Sequence, residues 1–322
     1  MTMERLLFEI GYAIRDRVNR PHITFVDPRK YHDKLYMINN ARRLVKYYKE
    51  KGIHKSQTIV SIPATHEGVA AAKWLEEEDD IHTNLYLVSG LMHAAACAEA
   101  GATSITIPVG RLLNSQERKR KTAYEDLQAH PGIETIQSII VYFKLHDIRC
   151  RVIGSEFRTL SEIGPLGDFD AICVTKDQAD RLKWSQVPIT SPSVDSSASL
   201  RARQAQYPTK LLGTESGFLN AMSLDTRNTV TSTLFTALGE MKAQMDDLEA
   251  IVATEVHRQF ELLTLDLRSL YRRRSKSRRS EDENHRMISR DVMPVDNLPK
   301  RNLAKALNIG GPSPEQDEEE VF

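Results

Sequence analysis

The chain has 322 residues, of which 40% are hydrophobic, 27% charged and 7% aromatic. That composition belongs to ordinary globular proteins and excludes disordered, collagen-like and membrane-embedded chains. No run approaches the roughly 18 uninterrupted apolar residues of a membrane helix. The opening MTMERLLFEIGYAIRDRV carries acids inside its apolar stretch, unlike a signal peptide. An intracellular protein with no membrane partner is expected. Lysine plus arginine equals aspartate plus glutamate at 44 each, so only a local cluster could attract nucleic acid. Cys97, Cys150 and Cys173 have no CxxC spacing, which excludes a disulfide framework and a cysteine-rich zinc site.

Helical periodicity alternates with short β-branched runs up to about residue 184, the pattern of a parallel sheet with helical crossovers. Six strands are expected: His22 to Val26, Thr58 to Pro63, Asn84 to Ser89, Thr103 to Ile107, Cys150 to Gly154 and Phe169 to Val174. Helices are read at Lys34 to Lys51, closed by Gly52, at Glu67 to Glu78, and at Leu91 to Ala100, stopped by Gly101. Ser185 to Pro208, rich in Ser and Pro, reads as a long surface loop. From Thr229 to Tyr271, Leu234, Leu238, Met241, Met245, Leu248 and Ile251 fall at three- and four-residue spacing, which describes an amphipathic helix. Beyond about residue 272 the basic RRRSKSRRS and the acidic GPSPEQDEEEVF lack the apolar content to fold, so a disordered tail is expected.

The run IPATHEGVAAAKWLEEEDDIHTNLYLVSGLMHAAACAEAGATSITIPVGRLL, Ile62 to Leu113, closely resembles the transaldolases. So do VIGSEFRTLSEI at Val152 to Ile163 and TESGFL at Thr214 to Leu219, and the likeness extends from about residue 4 to about residue 256. The resemblance implies a TIM-type (β/α)8 barrel of the α/β class and a pentose-phosphate lineage. It also implies transfer of a dihydroxyacetone unit through a Schiff base on a strand-four lysine, with no metal and no cofactor. By the same comparison the chain begins at the helix before the family's third strand, so a barrel of about six strands with a C-terminal helical extension is expected. The expected divisions are 1–256 for the incomplete barrel, 257–271 for the helical extension and 272–322 for the charged tail. A six-strand arc leaves unpaired edges near Ile23 and Ile172, which a second copy of the chain or another segment could cover, the alternative being an open, distorted fold.

Active groups of such a barrel stand at the C-terminal ends of its strands. The motif alignment puts Ser61 where the Schiff-base lysine belongs and Phe25 where the family has its proton-transferring glutamate. A serine hydroxyl cannot form an imine, and a phenyl ring exchanges no proton. Asn84 matches the asparagine that holds a substrate hydroxyl, Thr106 matches a family serine, Pro108 stands at an aromatic position, and Tyr86 replaces a threonine. Arg111 and Arg158 match the two arginines that grip phosphate, a pairing suited to guanidinium forks. The resemblance therefore implies a relative that has lost the covalent step and keeps at most a small phosphorylated or polar ligand.

Each of these positions also has a plainer reading. Arg111 and Arg158 could simply pair with rim carboxylates, and Ser61 could fill the barrel interior. His66 and Glu67, just past the fourth family strand, are either a proton-transfer pair for altered chemistry in specialised metabolism or solvent-facing helix-start residues. Lys176 follows the last strand candidate and is either a substitute imine former or an exposed first-turn residue. The basic cluster from Arg272 to Arg279 is the one segment that could contact nucleic acid or direct an otherwise cytoplasmic protein to the nucleus. An interaction role for the C-terminal helix and tail is the remaining alternative.

Overall fold

The computed structural model describes residues 2–15, 21–207, 210–213 and 217–282. Internal contacts divide the chain into Met1–Thr254 and Glu255–Phe322.

In the first unit a helix, α1 (Thr2–Arg15), precedes six strands: β1 (His22–Phe25), β2 (Thr58–Pro63), β3 (Thr83–Tyr86), β4 (Ser104–Pro108), β5 (Arg151–Ser155) and β6 (Ala171–Ile172). All neighbours are parallel and lie in chain order. The crossovers carry α2 (Lys34–Glu50), α3 (His66–Glu77), α4 (Leu91–Glu99), then α5 (Val109–Arg120) with α6 (Pro131–Leu145). This is a six-strand arc of a TIM-type α/β barrel, as the alternation of patterns implies. The strands and the three expected helices lie within a few residues of their expected bounds. Two glycines explain the sharpest helix stops: Gly52 at φ +78° and Gly101 at φ +75° occupy the left-handed region that other residues avoid.

The pleat sorts the strand residues by face. Val60, Ile62, Leu85, Ile105, Ile107 and Val152 are buried in one apolar cluster with helix residues such as Val69, Leu75, Leu112 and Ile136. The alternate positions, Phe25, Ser61, Asn84 and Ser104, form one register line across β1 to β4. Among the described residues β1 and β6 each pair with one strand, and Ile23, Phe25 and Ile172 are exposed there. The unpaired edges thus fall where the strand count implied.

Two expectations are corrected. The Ser185 to Pro208 segment is not all loop, because α8 (Ser197–Gln204) forms within it and packs on α6. Its start is fixed by the Ser196 hydroxyl, which accepts the Ser199 N–H at 3.2 Å. It buries only Ala198, Ser199 and Ala202, small residues that carry little periodic signal. The final helix, after α7 (Lys176–Leu182), is α9 (Leu224–Asp282), which continues through the basic run expected to be disordered. Arginine and lysine are good helix formers, and neither Gly nor Pro interrupts residues 272–282. The expectation of disorder for 283–322 concerns residues outside the described ones, as do Thr214, Glu215 and Ser216 of the TESGFL segment.

Within the first unit, Leu234, Ala237 and Leu238 of α9 bury against Leu87, with Tyr31, Tyr86 and Met241 packed around them. Leu87 holds φ at +67°, a left-handed conformation that costs a leucine about 1–2 kcal/mol. Tyr31 and Leu87 follow the C-terminal ends of β1 and β3, so this part of α9 crosses the side of the sheet where barrel enzymes place their chemistry.

Candidate functional site

The register line ends in a closed polar ladder. Asn84 Nδ2 donates to Ser61 Oγ at 2.9 Å. Asn84 Oδ1 accepts from Ser104 Oγ and from Thr106 Oγ1, both at 3.0 Å. Ser61, Asn84 and Ser104 are buried, and β-pairing fixes their spacing. A buried serine that accepts an amide proton is satisfied, and no basic nitrogen among the described hydrogen bonds reaches it to make it a nucleophile. Phe25 is Ser61's partner on β1 and contributes an apolar ring to the same face.

Arg111 and Arg158 come together at one seam between α5 and the loop after β5. Arg111 Nε donates to Glu156 at 2.5 Å, and its Nη1 contacts Glu240 of α9 at 2.8 Å. Arg158 Nε donates to Glu162 at 2.6 Å, and its Nη1 donates to Glu117 at 3.0 Å and Asn114 at 2.7 Å. The seam is reciprocal, since each side supplies one arginine and at least one carboxylate. Glu156 holds φ at +55°, and its carbonyl accepts the Gly110 N–H at 3.0 Å, so its backbone and side chain both bind α5. Each guanidinium is therefore already matched by two carboxylates.

The other named residues lie apart from this ladder. His66 opens α3 exposed, its ring 6.1 Å from that of Phe218, and no described hydrogen bond joins it to Glu67. The helix start is held instead by Thr65, whose hydroxyl accepts the Gly68 N–H at 3.0 Å. Lys176 is exposed at the first position of α7, beside a capping box formed by Thr175 and Gln178. Tyr86 packs against α9, and burial, with Asp27 nearby, raises its phenol pKa far above the usual value. Among the described residues no group of three or more His, Cys, Asp or Glu could hold a metal, and no helix is long and apolar enough to cross a membrane.

His93 escaped the sequence reading, where it is one polar letter in an alanine-rich helix. Its Nε2–H donates to the Ala64 carbonyl at 2.7 Å and its ring stacks on Phe218 with centroids 5.6 Å apart. Full burial lowers its pKa to about 4, partly opposed by that hydrogen bond, so the ring is neutral. Of the acids that occupy the arginines, Glu162 alone had a local signal, four residues after Arg158. Glu240 lies 129 residues beyond Arg111 and had none.

A family model described as transaldolase/fructose-6-phosphate aldolase matches residues 1–214. The chain belongs to this transaldolase family. It is 35% identical to the transaldolase of Saccharomyces cerevisiae over 58% of this chain and 55% of that one. It is 32% identical to a probable transaldolase of Dictyostelium discoideum over 68% and 67% respectively, and 36% identical to the transaldolase of Homo sapiens over 54% and 51%. The chain thus spans about half the length of the yeast and human relatives it matches. Arg111 and Arg158 lie in the segments just after β4 and β5, whereas Asn84 is the second residue of β3 and Thr106 the middle residue of β4.

Proposed function

We propose that this transaldolase-family chain does not perform Schiff-base transfer of dihydroxyacetone units and acts on, at most, the recognition of a small polar or phosphorylated ligand. The observation that carries the reading is Ser61, held by Asn84 in the buried ladder at the position of the family's imine-forming lysine. Imine formation needs an amine that attacks a ketose carbonyl and loses water, and a hydroxyl cannot complete that sequence. Phe25 beside it supplies no proton-transfer group. The arginine seam supports recognition by charge type alone. Glu240 is half exposed, so an anion could displace it from Arg111 at modest cost.

The test is mass spectrometry of the intact chain after borohydride reduction with fructose 6-phosphate, with Lys176→Ala as control. No mass gain is expected. An adduct on any lysine would overturn the reading, and one lost in the control would place the imine on Lys176. Ligand recognition is checked with inorganic phosphate, which should raise the thermal midpoint of the native chain but not that of Arg111→Ala. An equal rise in both would remove Arg111 from the ligand site.

A further inference from the structure

At the end of the sheet away from Arg111 and Arg158, a cavity of about 640 Å³ opens where β2 to β5 begin. Its size falls in the range of roughly 300–1,000 Å³ found for small-molecule sites. Part of the lining is basic: Arg151 opens β5, Arg149 lies two residues before it, and His82 immediately precedes β3. The rest is largely apolar, with Ile59 and Ile148, and includes the half-exposed ring of Tyr207. That ring stacks on His146 with centroids 4.8 Å apart, which holds it in place. Asp147 is the single acid of the described lining, so the cavity carries a positive balance. The basic part is fixed by one largely buried carboxylate. Glu76 Oε1 accepts the backbone N–H and the hydroxyl of both Thr83 and Thr103, at distances between 2.6 and 3.0 Å. Its Oε2 lies 3.5 Å from His82 Nδ1, which orients the imidazole and leaves Nε2 with no described hydrogen bond. The Arg151 N–H donates to the Thr103 carbonyl at 3.0 Å, so strand pairing holds this arginine beside the same carboxylate hub. Arg111 and Arg158 are each taken up by carboxylates. By contrast, none of the described hydrogen bonds or ion pairs ends on the guanidinium of Arg149 or Arg151.

We propose that this cavity binds a small molecule that joins a diphosphate to an aromatic ring, as a nucleoside diphosphate does, and that it does so separately from Arg111 and Arg158. Two guanidinium forks without internal partners call for an anion with enough oxygens to meet both, and a diphosphate has them. Orthophosphate meets one fork at a time and has no ring. His82 Nε2 is a third donor to the same anion, already oriented through Nδ1. Cations in a concavity with apolar walls attract an anion more strongly than cations on an open surface. The apolar lining and Tyr207 suit the ring of the ligand, which an inorganic anion would leave unused. A polynucleotide would follow a basic stripe along the surface, whereas here two arginines face into one concavity beside an acid. The proposal does not rest on the ligand reading of Arg111.

The experiment is calorimetric titration of the full chain with ADP in magnesium-free buffer. The native chain should bind one equivalent with Kd below about 1 mM. Arg149→Ala/Arg151→Ala should weaken binding at least about tenfold, because both charge-assisted contacts go. Its far-ultraviolet circular dichroism should be unchanged, since both side chains are exposed. Arg111→Ala should bind ADP within about twofold of the native chain, which separates this site from the one beyond the other strand ends. Tyr207→Ala should weaken ADP about fivefold or more and leave pyrophosphate unaffected. No binding by the native chain would overturn the proposal, as would binding that survives the double arginine variant. A loss in Arg111→Ala as large as that in the double variant would move the anion to the other end of the sheet. Pyrophosphate that binds as tightly as ADP would refute the ring contact. Tighter binding of a single-stranded oligonucleotide, lost in the same double variant, would overturn the proposal in favour of nucleic acid.

Discussion

Asn84 bridges three hydroxyl groups on two sides of its strand, donating to Ser61 Oγ and accepting from Ser104 and Thr106. The bonds are not interchangeable. Removing Ser61's hydroxyl leaves one amide donor unpaired, whereas removing the amide leaves three hydroxyls to find partners in a buried setting. Asn84→Ala should therefore cost about 2–3 kcal/mol and Ser61→Ala about 1 kcal/mol. Urea denaturation of the two variants checks the order, and equal losses would mean that the ladder does not act as a unit.

The arginine seam predicts a second ranking. Arg158 serves Glu162, whose side chain is 1% exposed, while both partners of Arg111 reach solvent. Arg158→Ala strands a buried carboxylate and should cost about 3 kcal/mol. Arg111→Ala removes two exposed pairs and should cost about 1 kcal/mol or less. The double variant Arg158→Met/Glu162→Leu should recover most of the first loss, measured by the same denaturation. Failure to recover it would shift the role of Arg158 from charge to packing.

How much of this was readable beforehand depends on the range of the interaction. Strands such as Thr58–Pro63 declare themselves by local composition, and the Ala-Thr-His-Glu-Gly sequence after β2 carries a family likeness in adjacent letters. Ser61 and Phe25 were readable for the same reason. What occupies the arginines was not, because Glu240 reaches Arg111 only once α9 has folded back over the strand ends. Helix α8 was missed because its buried face is two alanines and a serine, and hydrophobic spacing weighs large residues. The helical course of the basic run was missed because charge was read as disorder, although its residue types favour helix.

The fold-back of α9 also rests on a polar clasp at the β1 edge of the sheet. Arg29, just after β1, donates to Asp27 at 3.0 Å and contacts Asp246 at 3.1 Å and Glu249. Asp27 is buried and fixes the guanidinium, so the two α9 acids dock on a pre-positioned cation. Arg29→Ala should loosen α9 locally without unfolding the sheet. Hydrogen exchange over residues 240–254 should accelerate about tenfold, and exchange in β2 to β4 should be unchanged. Uniform acceleration would mean that the clasp holds the whole first unit.

His93 predicts a pH dependence with a definite sign. Its pKa is about 6.5 in an unfolded chain and is lowered to about 4 in the folded one by burial. Between these values the unfolded chain binds more protons, so stability rises with pH through this window. The contribution is complete above pH 6.5 and is lost as pH falls to about 4. The difference corresponds to about 3 kcal/mol. His130, also lowered by burial although Glu117, 3.3 Å from its Nε2, opposes the shift, acts in the same direction, and its Nδ1 accepts the Gly132 N–H at 2.9 Å. The two are separated by His93→Gln, whose amide nitrogen can take over the bond to Ala64 and does not titrate. Subtracting its stability profile from that of the native chain between pH 4 and 7.5 should leave a slope confined to the region below pH 6.5. A flat difference would mean that His93 is already solvated in the native state.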